Sequence, residues 1–147
     1  ATRAAQSLGL KAVDCPPIRG EAWDPEERIA QGQAAFRDTM TFDGGPPITP
    51  YLGAISNFVF GEVWPREGLD QRSRRWLTLV GVAESCAEVP IKSHFHAAMA
   101  SGNCTADELQ EFVLAYALCA GWPKASVIQS VVFEMAKKVE AGLAWNG

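Results

Sequence analysis

The stretch VPIKSHFHAAMASGNC sets His94 and His96 one residue apart, with Cys86 and Cys104 to either side. Imidazole is the side chain best matched to proton transfer near neutral pH, and it is also a common metal ligand. The spacing separates these uses. Alanine, methionine and lysine around the pair favour a helix, where positions two apart point roughly 200° away from each other. One ion cannot take both rings from a regular helix, although it could from a strand, whose alternate residues share a face. A zinc set of Cys86, His94, His96 and Cys104 also lacks the short ligand spacings of zinc clusters. The expectation is no metal.

With Ile91 as the zero of the helical wheel, Ala98 falls at about −20°, Phe95 at about +40° and His94 at about −60°, one apolar arc. His96 falls at about +140°, beside Lys92 at about +100°. His94 is therefore expected to line the interior or a pocket, and His96 to sit at a rim or a subunit contact. A core histidine satisfied by one hydrogen bond is the plain reading of His94. An acid–base group is the functional one.

The elements that must position these rings read as helices. The 147 residues suit a single domain with its own core. Hydrophobic content of 48% against 20% charged residues describes a globular chain. The net charge of −4, with RSRR at 72–75 as the longest basic cluster, argues against nucleic acid. No run reaches the roughly 20 apolar residues of a membrane span, and the first residues are too broken for a secretory segment. Four cysteines without a C-x-x-C pair read as reduced thiols of a cytoplasmic protein.

Residues 1–22 carry Pro16, Pro17 and Gly20 and read as an arm, with the helical domain over 23–147. Asp24 caps a first helix with Pro25 at its first position. FDGGPPITP breaks the chain. YLGAISNFVFGEVW is a second helix, and Asp70 caps a third, arginine-rich at its start and apolar all round from Trp76 to Ala83, hence expected to be buried. The histidine helix is the fourth, ended by Gly102. Thr105 and Glu108 form a capping box that opens a fifth, and Pro123 begins a sixth with lysines in its last turn. No segment alternates as a strand does. The fold class is all-α.

FVFGEVWPREGLDQRSRRWLTL and HFHAAMASGNCTADELQEFVLAYALCAGWPKA resemble the carboxymuconolactone decarboxylase family, over about Trp23 to Val139. The specific pieces are FGEVW-P-x-x-GLD, H-x-x-A-A-x-x-x-G, T-x-x-E and AGWPKA. The resemblance implies a six-helix alkylhydroperoxidase D-like bundle assembled as a homo-oligomer, a trimer or hexamer. It also implies a lyase of aromatic compound catabolism that needs no cofactor and takes a small-molecule substrate. In the family's named reaction γ-carboxymuconolactone loses CO₂, and the electrons left behind spread to the lactone carbonyl. The substrate is its own electron sink, so the protein need only hold it, stabilise the oxyanion and supply a proton.

Carried over by position, His94 matches the family histidine and is implied to donate a proton or to bind the oxyanion, with His96 beside it. Glu62 and Trp64 match GEVW; Glu62 would orient the imidazole and Trp64 would line the substrate site. Arg72 and Arg75, three apart on one helix face, would clamp a carboxylate. The plain alternatives are a glutamate near a helix end and arginines in subunit or surface ion pairs. Arg75 stands where many members carry a glutamate, and His96 where an arginine is frequent, so the substrate is open. A different lactone or cyclic acid, or binding without turnover, is the alternative. The thiol-peroxidase branch needs a C-x-x-C that this chain lacks, and Cys86, Cys104 and Cys119 read as small buried apolar residues.

Overall fold

The structure, a computed structural model, describes residues 24–147 together with Ser7 and Gly9. The arm read over 1–22 otherwise lies outside the described residues. Among these, every regular element is helical: α1 (Pro25–Met40), α2 (Pro50–Ala54) continued by a π-helix (Ile55–Val63), α3 (Gln71–Ser85), α4 (Glu88–Ala100), α5 (Ala106–Ala120) and α6 (Trp122–Glu140). No helix among them is long and apolar enough to cross a membrane.

The helix starts follow the capping chemistry of the sequence. The Asp24 side chain accepts from the amides of Glu26 and Glu27, and Asp70 accepts from Ser73. At α5 the Thr105 hydroxyl and the Glu108 carboxylate satisfy each other's backbone N–H groups. Each cap answers amides that a helix N-terminus would otherwise leave unpaired.

The second helix departs from the regular form. Its nine residues Ile55–Val63 are wound as a π-helix, and the Trp64 amide continues that pattern to the Val59 carbonyl at 3.0 Å. Apolar residues recur here at intervals of three and four, the spacing of an ordinary helix, so the sequence does not announce the wider turn. The π-helix lies against α1 at close range: a Cβ on Gly32 would come within 2.5 Å of the Ser56 carbonyl oxygen. Only glycine fits such a crossing.

Two clusters of buried side chains result. The larger, built on Leu79, Ile91, Phe95, Leu109, Ile128 and Met135, joins α3 to α6. The smaller gathers Met40, Phe60 and Ala97 with Phe36, Phe42, Val59 and Trp64, joining α1, the π-helix and α4. α4 carries residues of both, so it is packed on almost every side.

The expectation that α3 is wholly buried does not hold for the isolated chain. Leu77 is 65% and Val80 46% exposed, while Leu79 and Ala83 are buried. An apolar sequence shows that a face avoids water somewhere; it does not say that the covering surface comes from the same chain.

Candidate functional site

At the seam between the two clusters lies Arg75, which has no solvent-exposed surface. Its guanidinium meets five groups. Nη2 donates to the Thr39 carbonyl in the last turn of α1, and Nε donates to Asn103 Oδ1 at 3.4 Å. The plane lies over the Trp64 ring, 4.9 Å from its centroid, and Nη1 approaches Met40 Sδ at 3.9 Å. Nη1 also meets Nδ1 of His94 at 3.3 Å.

Burying a cation this fully is costly unless something compensates it. Among the described residues, every hydrogen-bond acceptor of Arg75 is neutral. The partial negative charge at the C-terminus of α1, expressed through the Thr39 carbonyl, and the face of Trp64 supply the compensation. Desolvation still lowers the Arg75 pKa from its usual value to about 10, so the group stays charged at neutral pH.

His94 projects from α4, half-buried, toward this cation. Burial and then the charge of Arg75 push its pKa down to about 4. The imidazole is therefore uncharged at neutral pH. Among the described residues, Nδ1 is its one hydrogen-bonded nitrogen, through Arg75.

His96 reverses the expectation of a rim residue. It is only 7% exposed, and its Nε2 meets the Leu143 carbonyl at 2.9 Å in the segment after α6. The wheel took its side of α4 as polar, but the chain beyond α6 folds back over it, a contact 47 positions away in sequence. His94, assigned to the apolar arc, is the more accessible ring of the two. The two imidazoles serve separate surroundings, and among the described residues no group of three His, Cys, Asp or Glu side chains is arranged to hold a metal ion.

The other marked residues are divided. Trp64 joins the site as the platform beneath Arg75, itself stacked on Phe60 at 6.0 Å. Glu62 does not meet His94; its carboxylate pairs with Arg28 of α1, and its side chain is 14% exposed. Arg72 and Arg75 do not form a joint clamp. Arg72 lies near the surface, 2.6 Å from a Glu108 oxygen, and also donates to the Asn103 carbonyl. Residues three apart diverge enough for one to enter the core while its neighbour stays at the edge. Cys104 is buried, with its thiol pushed up to about 11 by burial, whereas Cys86 and Cys119 are exposed, against the expectation for those two.

Asn103, Thr39 and Met40 complete the site and carried no signal in the sequence. Asn103 is placed by the end of α4. Gly102, at φ +72°, turns the chain into the left-handed region, and the Cys104 amide closes the turn on the Ala98 carbonyl at 2.9 Å. The Asn103 amide then donates to Gln71 at 3.0 Å while its oxygen accepts from Arg75. A shallow groove between Gln33, Phe36, Pro47, Leu52 and Ile55 includes none of the marked residues.

The sequence profile of the carboxymuconolactone decarboxylase family matches residues 50–132, from the start of α2 into α6, including Trp64, Arg75, His94 and Asn103. A 4-carboxymuconolactone decarboxylase of Acinetobacter baylyi is 34% identical over 83 residues, 56% of this chain and 61% of the relative. The chain thus spans about three fifths of that curated relative. No solved structure gives a significant match. With more than half of its length matched, the chain belongs to the carboxymuconolactone decarboxylase family.

Proposed function

We propose that the chain is a cofactor-independent lyase that removes CO₂ from a cyclic conjugated acid or lactone; its Acinetobacter relative is named a 4-carboxymuconolactone decarboxylase. The observation that carries this reading is the pairing of a half-buried, uncharged His94 with the buried cation of Arg75. A carboxylate conjugated to a lactone carbonyl loses CO₂ when the C–C bond breaks toward the ring. The electron pair then delocalises to the carbonyl oxygen. A proton added at carbon completes the enol-lactone, with no oxidant or reductant required. Hydrogen-bond donors and positive potential in a water-poor site stabilise the intermediate oxyanion, and His94 backed by Arg75 offers both. Trp64 holds Arg75 in place. Glu62 and Arg72 are engaged by Arg28 and Glu108, and His96 by the Leu143 carbonyl, so the reading gives these three no direct part in the chemistry.

Assembly into a trimer or hexamer is part of the same reading. Leu77 and Val80 on α3, Leu114 and Leu118 on α5, and Trp122 are large apolar side chains at least 46% exposed on the single chain. Surfaces of this kind mark association sites. Sedimentation velocity tests it, with a monomer as the contrary result. A cytoplasmic location belongs to the reading as well.

A different lactone or cyclic acid is the second reading, favoured by one observation: Arg72 is engaged by Glu108 and Arg75 is sealed, so the expected two-arginine clamp is not formed. Purified chain is to be incubated with γ-carboxymuconolactone and followed by ultraviolet absorbance and CO₂ release. Decarboxylation above the spontaneous rate supports the first reading. An intact lactone, with turnover of a related cyclic acid, replaces it with the second.

A further inference from the structure

We infer that Arg75 is a positioning residue that locks the His94 ring in the tautomer carrying its proton on Nε2, so that the ring offers an N–H donor and not a proton acceptor to a bound anion. The inference rests on the functional reading above and fixes which ring nitrogen serves as the donor that reading assigns to His94.

A guanidinium has five N–H donors and no acceptor. Its 3.3 Å contact with Nδ1 therefore requires the lone pair of that nitrogen, and a neutral ring must then carry its hydrogen on Nε2. Arg75 has little freedom to swing away, because Thr39, Asn103, Met40 and Trp64 hold the rest of the group from α1, from the turn after α4 and from the end of the π-helix. Protonating the ring as well would set two cations side by side in a buried site. The remaining groups around this cluster, Thr39, Met40, Trp64 and Asn103, are uncharged, and the Cys104 thiol stays protonated at neutral pH.

The consequence is chemical. A histidine acting as a base needs a free lone pair on the nitrogen facing its substrate, and here the lone pair is spent on Arg75. The exposed side of the ring is a donor in a fixed direction, suited to an enolate oxygen. The proton that later reaches carbon then comes from water, and the ring returns unchanged. In this chain the permanent cation, which cannot itself relay a proton, becomes the device that sets the state of the histidine.

The test is nitrogen NMR of the intact chain labelled at its two imidazoles, with the spectrum of His94→Gln assigning the signals. The expected result is a hydrogen-bonded, pyridine-type Nδ1 and a pyrrole-type Nε2 on His94, unchanged from pH 8 to pH 5.5. In Arg75→Met, with folding checked by circular dichroism, the ring exchanges between tautomers and its titration moves up toward the ordinary value of about 6.5. A pyrrole-type Nδ1 in the unaltered chain overturns the inference, as does a folded Arg75→Met with the same spectrum. If that variant does not fold, the unaltered chain decides alone. The spectra do not depend on turnover: a locked ring in a chain that leaves the lactone intact overturns only the decarboxylase reading. A freely exchanging ring in an active chain overturns only this one.

Discussion

Arg75 on α3 and His94 on α4 meet through Nη1 and Nδ1 at 3.3 Å, and the arginine of that pair has no surface in contact with water. A charged donor thus enters the core to serve a neutral ring that is itself only half-buried. The relationship links stability, protonation and the proposed chemistry.

His94→Ala is expected to lower kcat by about 10²–10³ on a true substrate, the usual effect of losing one oxyanion donor. KM changes less, since the hydrogen bond strengthens as charge develops on oxygen. Steady-state rates of CO₂ release check it; full turnover in the variant means that the ring has no part in the chemistry.

Stability is expected to fall as the pH drops from about 6.5 to about 4. In the unfolded chain the His94 ring takes up a proton near pH 6.5, whereas in the folded chain it does so only near pH 4. Between those values the unfolded state binds more protons, so acidification favours unfolding, and the loss levels off below pH 4. The full effect is no more than about 3 kcal/mol, reduced by whatever water reaches the half-buried ring. Urea denaturation at pH 7.0, 5.5 and 4.5 measures it, and His94→Gln should flatten the profile in that window. The Arg72-paired carboxylate of Glu108, held down to about 2, adds its own loss of stability as the pH falls from its ordinary value of about 4.5 toward 2.

Gly32→Ala is expected to destabilise the fold by about 1–3 kcal/mol, the range for forcing extra volume into a packed contact. The added methyl would meet the backbone of Ser56, which cannot rotate aside. Gly53→Ala, in α2 with nothing within 4 Å of the new carbon, serves as the control and should be neutral or slightly stabilising. Equal denaturation midpoints for the two variants would show that the α1 crossing tolerates a side chain.

Alkylation of the native chain is expected to modify Cys86 and Cys119 well before Cys104, which is buried and has its thiol pushed up to about 11. Peptide mapping by mass spectrometry gives the order. On the decarboxylase reading, modification of the two exposed thiols leaves turnover in place; activity lost in step with their labelling would favour thiol chemistry instead.

The local part of this architecture was legible in the residues. Asp24, Asp70 and Thr105 with Glu108 mark helix starts because a cap is satisfied within three or four positions of itself, and Pro123 because its fixed φ suits a first helical turn. The all-α class and the break at FDGGPPITP followed in the same way. The mate of each polar side chain did not, because it lies on another element. Arg75 reaches Thr39 across 36 positions, Glu62 reaches Arg28 across 34, and His96 reaches Leu143 across 47. A helical wheel treats one helix against uniform water and uniform core, whereas α4 is enclosed by α1, α3, α6 and the segment beyond α6. The sequence determined which side chains were available and on which helices they ride. Tertiary packing decided which arginine was buried, which histidine kept access to solvent, and which nitrogen was left to hold the proton.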